Sequence, residues 1–189
     1  MAKANPFVAR LRRVPTVTLP KKLVRKVPYV PLAAYSPPNW LFTSGQPRRY
    51  NLAGTPCLYM SEDEQTANVE YARPLPGMTG PDEPVVTYSA SVQLQRVLDL
   101  TDPNTLKSLR LSKKDLYAPW RGKKTPTLTQ LLGEAVAKHS NIVAIRFPSD
   151  AARDAGSTGV NVVIYHDRVA TPDSVSILGP SGSVLQTWP

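Results

Sequence analysis

The residues of this chain that are best suited to chemistry lie close together, between positions 48 and 71. That stretch reads RRYNLAGTPCLYMSEDEQTANVEY, and it holds Arg49, Tyr59 and Glu70 at intervals of ten and eleven residues. An arginine can bind a diphosphate through its planar fork, a tyrosine can stack on a flat ring, and a carboxylate can stabilise a developing cation. Together the three residue types fit a site for a phosphate-bearing ligand that reacts through a positively charged centre.

The local sequence predicts elements that would position these side chains. A short strand is expected over residues 55–60, after a turn at Gly54. Ser61 is a suitable N-cap for a following helix, and Pro74 must end that helix. Glu70 would then lie in the last turn, on a face shared with apolar residues, where its carboxylate can face a cleft.

The rest of the chain predicts an α+β fold with a mixed or antiparallel, strand-rich core and inserted helices. Apolar and polar residues alternate over residues 84–100, which is typical of a strand, and residues 128–138 have the spacing of an amphipathic helix. There is no regular alternation of strand and helix. Four further strands are predicted, at residues 141–147, 160–165, 174–178 and 184–188.

Charge and proline divide the chain into two parts. The first 61 residues contain ten Lys or Arg and no Asp or Glu, whereas residues 62–189 contain thirteen bases and fourteen acids. Seven of the twenty prolines fall within the first 40 residues, which disfavours a long helix there. We therefore predict an extended, basic, proline-rich arm over residues 1–39 and a globular domain over residues 40–189. Such an arm would attract nucleic acid, anionic lipid or an acidic protein, or it would be a solvated tail.

Composition disfavours several other classes of protein. A single cysteine, Cys57, cannot form an internal disulfide, and two histidines without a Cys/His cluster give no metal site. No apolar run approaches the ~20 residues of a membrane span, so we expect a cytoplasmic protein with no membrane contact. The sequence has neither the glycine-rich Rossmann motif nor the P-loop lysine motif.

The region around these residues resembles the core of the RES-domain toxins, a family named for its Arg, Glu and Ser. The resemblance covers about residues 40–166, roughly two thirds of the chain. Four short elements carry it: Arg49-Tyr50-Asn51 followed by Gly54, Leu58-Tyr59-Met60-Ser61, Ala67-x-x-Glu70, and Ile145-Arg-Phe-Pro-Ser149 followed by Asn161.

One part of the motif departs from the family pattern. Gln46-Pro47-Arg48 stands where the family usually has a pair of glycines before its arginine. The Tyr50-Asn51 that follows favours Arg49 over Arg48 as the equivalent of the family arginine.

The resemblance implies a fold like that of the mono-ADP-ribosyltransferases and NAD as the substrate. The bond between nicotinamide and ribose would break, and ADP-ribose would pass to water, inorganic phosphate or a protein side chain. Glu70 would stabilise the ribose cation, Arg49 would hold the phosphates, and Tyr59 would stack on nicotinamide. Ser149 would orient the ribose or the glutamate, and Asn51 would belong to the same binding group.

The resemblance also implies a partner. RES toxins are usually held inactive by a cognate antitoxin with a helix-turn-helix region, in an assembly that can bind operator DNA; a homo-oligomer is left open. The alternative is a non-catalytic module that binds nucleic acid or protein through its basic arm. The set of Arg49, Tyr59 and Glu70 separates the two hypotheses, because a binding module would not require it.

Overall fold

A computed structural model describes residues 4–28, 46–73, 84–179 and 181–189. Its strands are β1 (Val17–Pro28), β2 (Cys57–Ser61), β3 (Val85–Asp99), β4 (Ala144–Pro148), β5 (Val160–Tyr165), β6 (Ser174–Leu178) and β7 (Val184–Trp188). Its α-helices are α1 (Val8–Leu11), α2 (Glu64–Ala72), α3 (Pro103–Leu109), α4 (Lys113–Tyr117), α5 (Leu128–His139) and α6 (Asp150–Asp154). A 3₁₀ turn covers His166–Arg168. This is the mixed, strand-rich α+β class that the sequence predicts.

The strands form one sheet in the order β1-β2-β5-β4-β3-β6-β7, and β1 also pairs with β3. Five strands therefore close on themselves, although β1 meets β2 only where Val24 pairs with Ser61. The closure is possible because β3 is long enough to pair with three other strands. It pairs with β1 along one edge, and on the other edge its residues 89–93 pair with β6 and its residues 97–99 with β4. The β3–β4 pair is parallel, and the other pairs are antiparallel.

Strand β3 shows how directly local sequence determines the core. Ala90, Val92 and Leu94 are fully buried, and the polar residues between them, Ser91 and Gln93, are exposed. This alternation is what a sheet with one apolar face requires, and it confirms the strand predicted over residues 84–100. The strands predicted at residues 160–165, 174–178 and 184–188 are also confirmed.

Buried apolar side chains form two clusters that involve opposite faces of the strands. One cluster combines helix residues such as Leu109 and Leu132 with strand residues such as Leu98. The other consists mainly of strand side chains, including Leu58 and Val92. Among the described residues, no helix is long and apolar enough to cross a membrane.

The N-terminal segment differs from the predicted arm. Phe7, in the turn before α1, is fully buried in the helix-bearing cluster, and Leu23 of β1 is fully buried in the strand cluster. Strand β1 pairs with β3 from Val17 to Pro28. The segment is extended, as its prolines indicate, but residues 4–28 are part of the folded body. A count of charges does not indicate this, because buried apolar residues lie between the basic ones. The predicted boundary at residue 39 lies outside the described residues.

The start of helix α2 is a second difference. The N-cap is Asp63, whose carboxylate accepts a hydrogen bond from the backbone N–H of Thr66 at 2.7 Å. Ser61, the predicted cap, ends β2 instead, because its backbone pairs with Asn161 of β5. The helix ends at Ala72, as predicted.

A buried carboxylate links β1 to the centre of the sheet. Glu62 accepts from Nε of Arg146 at 2.6 Å and from Nζ of Lys21 at 2.5 Å. Arg146 in turn binds Asp99 at 3.1 Å. Burial would raise the pKa of Glu62, but the hydrogen bonds from Arg146 and Lys21 outweigh it and lower the pKa below its ordinary value. The interaction therefore stabilises the fold at neutral pH.

We expect Glu62→Gln to lower the free energy of unfolding at pH 7 by about 1.5–3 kcal/mol, the usual range for hydrogen bonds to charged groups. Because the folded-state pKa of Glu62 lies below its unfolded value of about 4.5, the difference should shrink as the pH falls below that value. Urea denaturation at pH 7 and at lower pH measures both effects. Glu64→Gln, at an exposed position two residues on, is the control. A difference that does not change with pH would contradict this account.

Candidate active site

The carboxylate of Glu70 is held by two side chains from distant parts of the chain. Its Oε1 accepts from Oγ of Ser149 at 2.7 Å and from Nδ2 of Asn161 at 2.5 Å. Oγ of Ser61 donates to Oδ1 of Asn161 at 2.8 Å, which fixes the orientation of that amide. Helix α2, strands β2 and β5 and the start of α6 therefore converge on one carboxylate.

Two hydrogen bonds fix the orientation of the Ser149 hydroxyl. Its hydroxyl oxygen accepts from the backbone N–H of Ala152 at 3.0 Å and so caps helix α6, while its proton points to Glu70. Within the described residues both side-chain donors reach Oε1, which leaves the second carboxylate oxygen of Glu70 for a ligand. The sequence predicts that Ser149 orients either the ribose or this glutamate, and in the structure its hydroxyl is bound to the glutamate.

Arg49 lies in a tight turn. The backbone N–H of Arg48 donates to the carbonyl of Asn51 at 3.1 Å, so that Arg49 and Tyr50 occupy the centre of the turn. The hydroxyl of Tyr59 accepts from the backbone N–H of Tyr50 at 2.9 Å and donates to Oδ1 of Asn51 at 3.0 Å. The polar end of Tyr59 is thus used to hold the turn.

Side chains of helix α5 and strand β5 donate hydrogen bonds to the backbone carbonyls of this turn. Nε2 of Gln130 donates to the carbonyl of Arg48 at 3.1 Å, and the hydroxyl of Tyr165 donates to the carbonyl of Tyr50 at 2.7 Å. A Cβ atom on Gly133 would lie 1.8 Å from the Tyr50 carbonyl oxygen and 2.9 Å from the Tyr165 hydroxyl. The turn therefore packs directly on the helix backbone, where only glycine fits.

The guanidinium of Arg49 is almost buried, with 11% of its side chain exposed. Its Nη1 donates to the carbonyls of Leu116 at 2.5 Å and Ala118 at 3.1 Å, and its Nη2 donates to Oδ2 of Asp150 at 3.0 Å. Described residues thus take three of the five N–H groups that an arginine carries. The remaining two, one on Nε and one on Nη2, can donate to an anion.

Positive charge is concentrated beside Glu70. The pKa of Arg121 is lowered, first by partial burial and then by repulsion from three arginines, which are Arg73, Arg48 and Arg49. The negative charge of the Glu70 carboxylate partly offsets this and raises the pKa of Arg121. A ligand with two negative charges, such as a diphosphate, would relieve this repulsion.

The predicted site residues do not all occupy the same kind of position. Glu70 and Ser149 are in direct contact, and Arg49 and Tyr59 belong to one unit of turn and strand. The ring of Tyr59 is partly buried and meets Phe147 edge-on, with ring centroids 6.5 Å apart. Asn51 is fully buried and donates to nearby carbonyls, so it acts on the site by holding the turn.

Several residues at the site are not among those that the sequence predicts. Asn161 was noted only as part of the family motif; its signal is a single amide in the apolar strand VNVVIY. Arg25 belongs to the predicted arm, but its spacing of two residues from the buried Leu23 and Val27 puts it on their face of strand β1. Its Nη1 donates to the carbonyl of Tyr59 at 2.9 Å. Burial, and then the charge of Arg48, lower the pKa of Arg25 to about 10.

No group of three or more His, Cys, Asp or Glu side chains in the described ranges is arranged to hold a metal ion.

The sequence model of the RES domain family matches residues 29–185, so the chain belongs to this family. The fold is similar to that of a chain in the crystal structure of the M. tuberculosis MbcT–MbcA toxin–antitoxin complex. The TM-score is 0.62 at 17% sequence identity, and the match covers 98% of this chain and 92% of that chain. At this identity the likeness concerns the fold. No curated protein matches the chain.

We expect Gly133→Ala to destabilise the protein by about 1–3 kcal/mol, because the added methyl group must displace the Tyr50 carbonyl. Helix propensity alone predicts the opposite sign, since alanine is favoured over glycine by about 1 kcal/mol in a helix. Urea denaturation measures the change. Lys138→Ala, at an exposed position in the same helix, should stay within about 0.5 kcal/mol of wild type. A Gly133→Ala protein as stable as wild type would show that the turn is not tightly packed.

Proposed function

We propose that the protein breaks the bond between nicotinamide and ribose in NAD, and that it is a toxin neutralised by a cognate antitoxin. The observation that carries the proposal is the Glu70 carboxylate, which Ser149 and Asn161 orient beside a concentration of arginines. Membership of the RES domain family supports it, as does the likeness in fold to a chain from a toxin–antitoxin complex.

The chemistry follows from the leaving group. When the bond from ribose C1′ to the nicotinamide nitrogen breaks, the electron pair leaves with nicotinamide, which departs as a neutral molecule. The ribose is left as a cation, and an acceptor oxygen then bonds to C1′ and releases its proton. Little acid catalysis is needed; orientation of the ribose and a negative group near it are what lower the barrier.

Glu70 supplies that negative group. Ser149 and Asn161 hold one of its oxygens, so the other oxygen can accept from a ribose hydroxyl and stabilise the cation without reorganising. The acceptor of ADP-ribose stays open among water, inorganic phosphate and a protein side chain. The reaction is accordingly hydrolysis, phosphorolysis or ADP-ribosyl transfer.

The arginines and the tyrosine bind the rest of the substrate. The edge of Arg49 that carries Nε and Nη2 would hold one phosphate side-on. Arg48 and Arg121 add positive charge for the second phosphate. The ring of Tyr59 would stack on nicotinamide, while its hydroxyl keeps the turn closed. Under this proposal the fold would be of the ADP-ribosyltransferase type.

The proposal also includes a partner protein and a cellular location. The partner would be an antitoxin with a helix-turn-helix region, the complex could bind operator DNA, and the toxin would act in the cytoplasm. The competing hypothesis is a non-catalytic module for nucleic acid or protein. Its support is the exposed Arg12, Lys138 and His139 around a shallow surface cleft of about 500 Å³.

One experiment separates these hypotheses. The purified protein is incubated with NAD, with and without inorganic phosphate, and free nicotinamide and every ADP-ribose product are resolved by chromatography. Release of nicotinamide supports the enzyme, and the identity of the second product names the acceptor. A folded protein that leaves NAD intact and binds DNA in a salt-sensitive way would instead support the binding module.

Glu70→Gln tests the role of the carboxylate. Glutamine keeps the shape and can still accept from Ser149 and Asn161, but it lacks the charge that stabilises the ribose cation. We expect turnover to fall by roughly 10²–10³, with NAD binding largely kept. Glu64→Gln, at an exposed position in the same helix, should turn over like wild type. Normal turnover in Glu70→Gln would exclude this glutamate as the catalytic group.

Arg49→Lys tests the phosphate clamp, with Arg48→Lys as the neighbouring comparison. A lysine ammonium is a point charge and cannot copy the planar fork of Arg49. We expect kcat/KM for NAD to fall roughly 10- to 100-fold in Arg49→Lys, and only slightly in Arg48→Lys. Urea denaturation of both variants shows whether the fold is kept. Equal effects, or the reverse order, would move the clamp to Arg48.

A further inference from the structure

Asp150 is the meeting point of three arginines at the edge of the site. It directly follows Ser149 and begins helix α6, and 11% of its side chain is exposed. Its Oδ2 accepts from Nη2 of Arg49 at 3.0 Å and from Nη1 of Arg73 at 2.9 Å. Nη2 of Arg153 lies 2.6 Å from the other oxygen, Oδ1, as an ion pair. The roles proposed for the substrate-binding residues do not explain this carboxylate.

A second acid on the same helix gives a direct comparison. Asp154 binds Nη2 of Arg73 at 3.0 Å and Nη2 of Arg153 at 2.8 Å, and about half of its side chain is exposed. The two acids therefore share two arginines. In the described part of the chain, Asp150 is the acid that also forms an ion pair with Arg49.

We propose that Asp150 is a positioning residue for substrate binding: it fixes the plane of the Arg49 guanidinium and holds Arg73 beside it. This inference rests on the function proposed above. Two carbonyls hold Nη1 of Arg49, and Asp150 adds the contact at Nη2 that stops the group from turning about its own axis. The Nε edge then faces the ligand in one orientation, and such preorganisation lowers the entropy that binding must overcome.

The position of Asp150 in the chain couples the two halves of the site. The hydroxyl of the preceding residue, Ser149, orients Glu70, so the start of α6 fixes both the carboxylate for the ribose and the arginine for the phosphates. A shift of this short helix would move both groups together. The distance between the phosphate clamp and the ribose carboxylate is therefore set by one rigid segment.

The opposite role would be competition, in which the Asp150 carboxylate occupies the place of a substrate phosphate. The hydrogen bonds argue against it. Asp150 takes one N–H of Nη2, and the described residues take neither the N–H of Nε nor the other N–H of Nη2, so a phosphate can still bind there. The carboxylate is also mostly buried, as expected for a supporting group and not for one that a ligand displaces.

The two roles predict opposite signs for the same substitution. If Asp150 positions Arg49, then Asp150→Asn should raise KM for NAD and Kd for ADP-ribose, by roughly 10- to 100-fold, and change kcat much less. If Asp150 competes with phosphate, the same change should tighten binding of both ligands. Asp154→Asn removes the same charge four residues later without touching Arg49. It should change KM and Kd by less than about threefold, because the charge is exposed.

The experiment measures steady-state NAD kinetics and calorimetric binding of ADP-ribose for wild type, Asp150→Asn, Asp150→Glu and Asp154→Asn, with urea denaturation of each. Asp150→Glu keeps the charge but moves it, so its KM should lie between those of wild type and Asp150→Asn. This variant still decides the question if Asp150→Asn does not fold. A wild-type KM in Asp150→Glu would then overturn the proposal.

The remaining outcomes are distinct. Tighter binding in Asp150→Asn, or equal effects of Asp150→Asn and Asp154→Asn, would overturn the positioning role while leaving the proposed function intact. A wild-type protein that neither releases nicotinamide nor binds ADP-ribose would overturn the proposed function, and this inference with it. Weaker binding in Asp150→Asn, with near-normal kcat and an unchanged Asp154→Asn, is the expected result.

Discussion

The candidate site depends on the contact between the backbone of one turn and the backbone of one helix. The carbonyl of Tyr50 lies so close to Gly133 that no side chain fits between them. A turn buried in this way must have its polar groups satisfied, and residues from three separate elements do so. The hydroxyl of Tyr59 accepts from the N–H of Tyr50, the hydroxyl of Tyr165 donates to the carbonyl of Tyr50, and the amide of Gln130 donates to the carbonyl of Arg48. The position of the arginine in the turn follows from this packing.

The other polar groups of the site are also held by hydrogen bonds from several elements, as the turn is. Its polar groups are buried or half-buried and are connected in chains, from Ser61 through Asn161 to Glu70, and from Arg49 to Asp150. Inside a protein such bonds are stronger than in water, and a missing member leaves a neighbour unsatisfied at a high cost. The groups that would meet a substrate are therefore held in one arrangement before it arrives. A reaction that needs orientation more than proton transfer benefits most from such an arrangement.

Sequence predicts the parts of this structure that depend on neighbours along the chain. The alternation in β3 and the spacing in α5 are local, and both elements form where they are expected. The parts that depend on distant residues were missed. Asp150 binds an arginine 101 positions away, and no local pattern indicates that contact. Ser61 has two competing local roles, and pairing with β5 decides for the strand. The basic segment was predicted as an arm because total charge says nothing about which side chains face inward.

Arg25 lies in the basic segment that belongs to the folded body, and its charge bears on the proposed function. In the described part of the chain it donates to a backbone carbonyl and forms no ion pair, and burial lowers its pKa to about 10. Arg25 is partly buried, and a charge removed from water without a paired acid destabilises a fold unless something else compensates. Arg48 adds a like charge near Arg25, and the same Arg48 also repels Arg121. Under the proposed function, the phosphates of the substrate provide the compensation. Folding and substrate binding are then linked, because a ligand that binds the native state alone stabilises it.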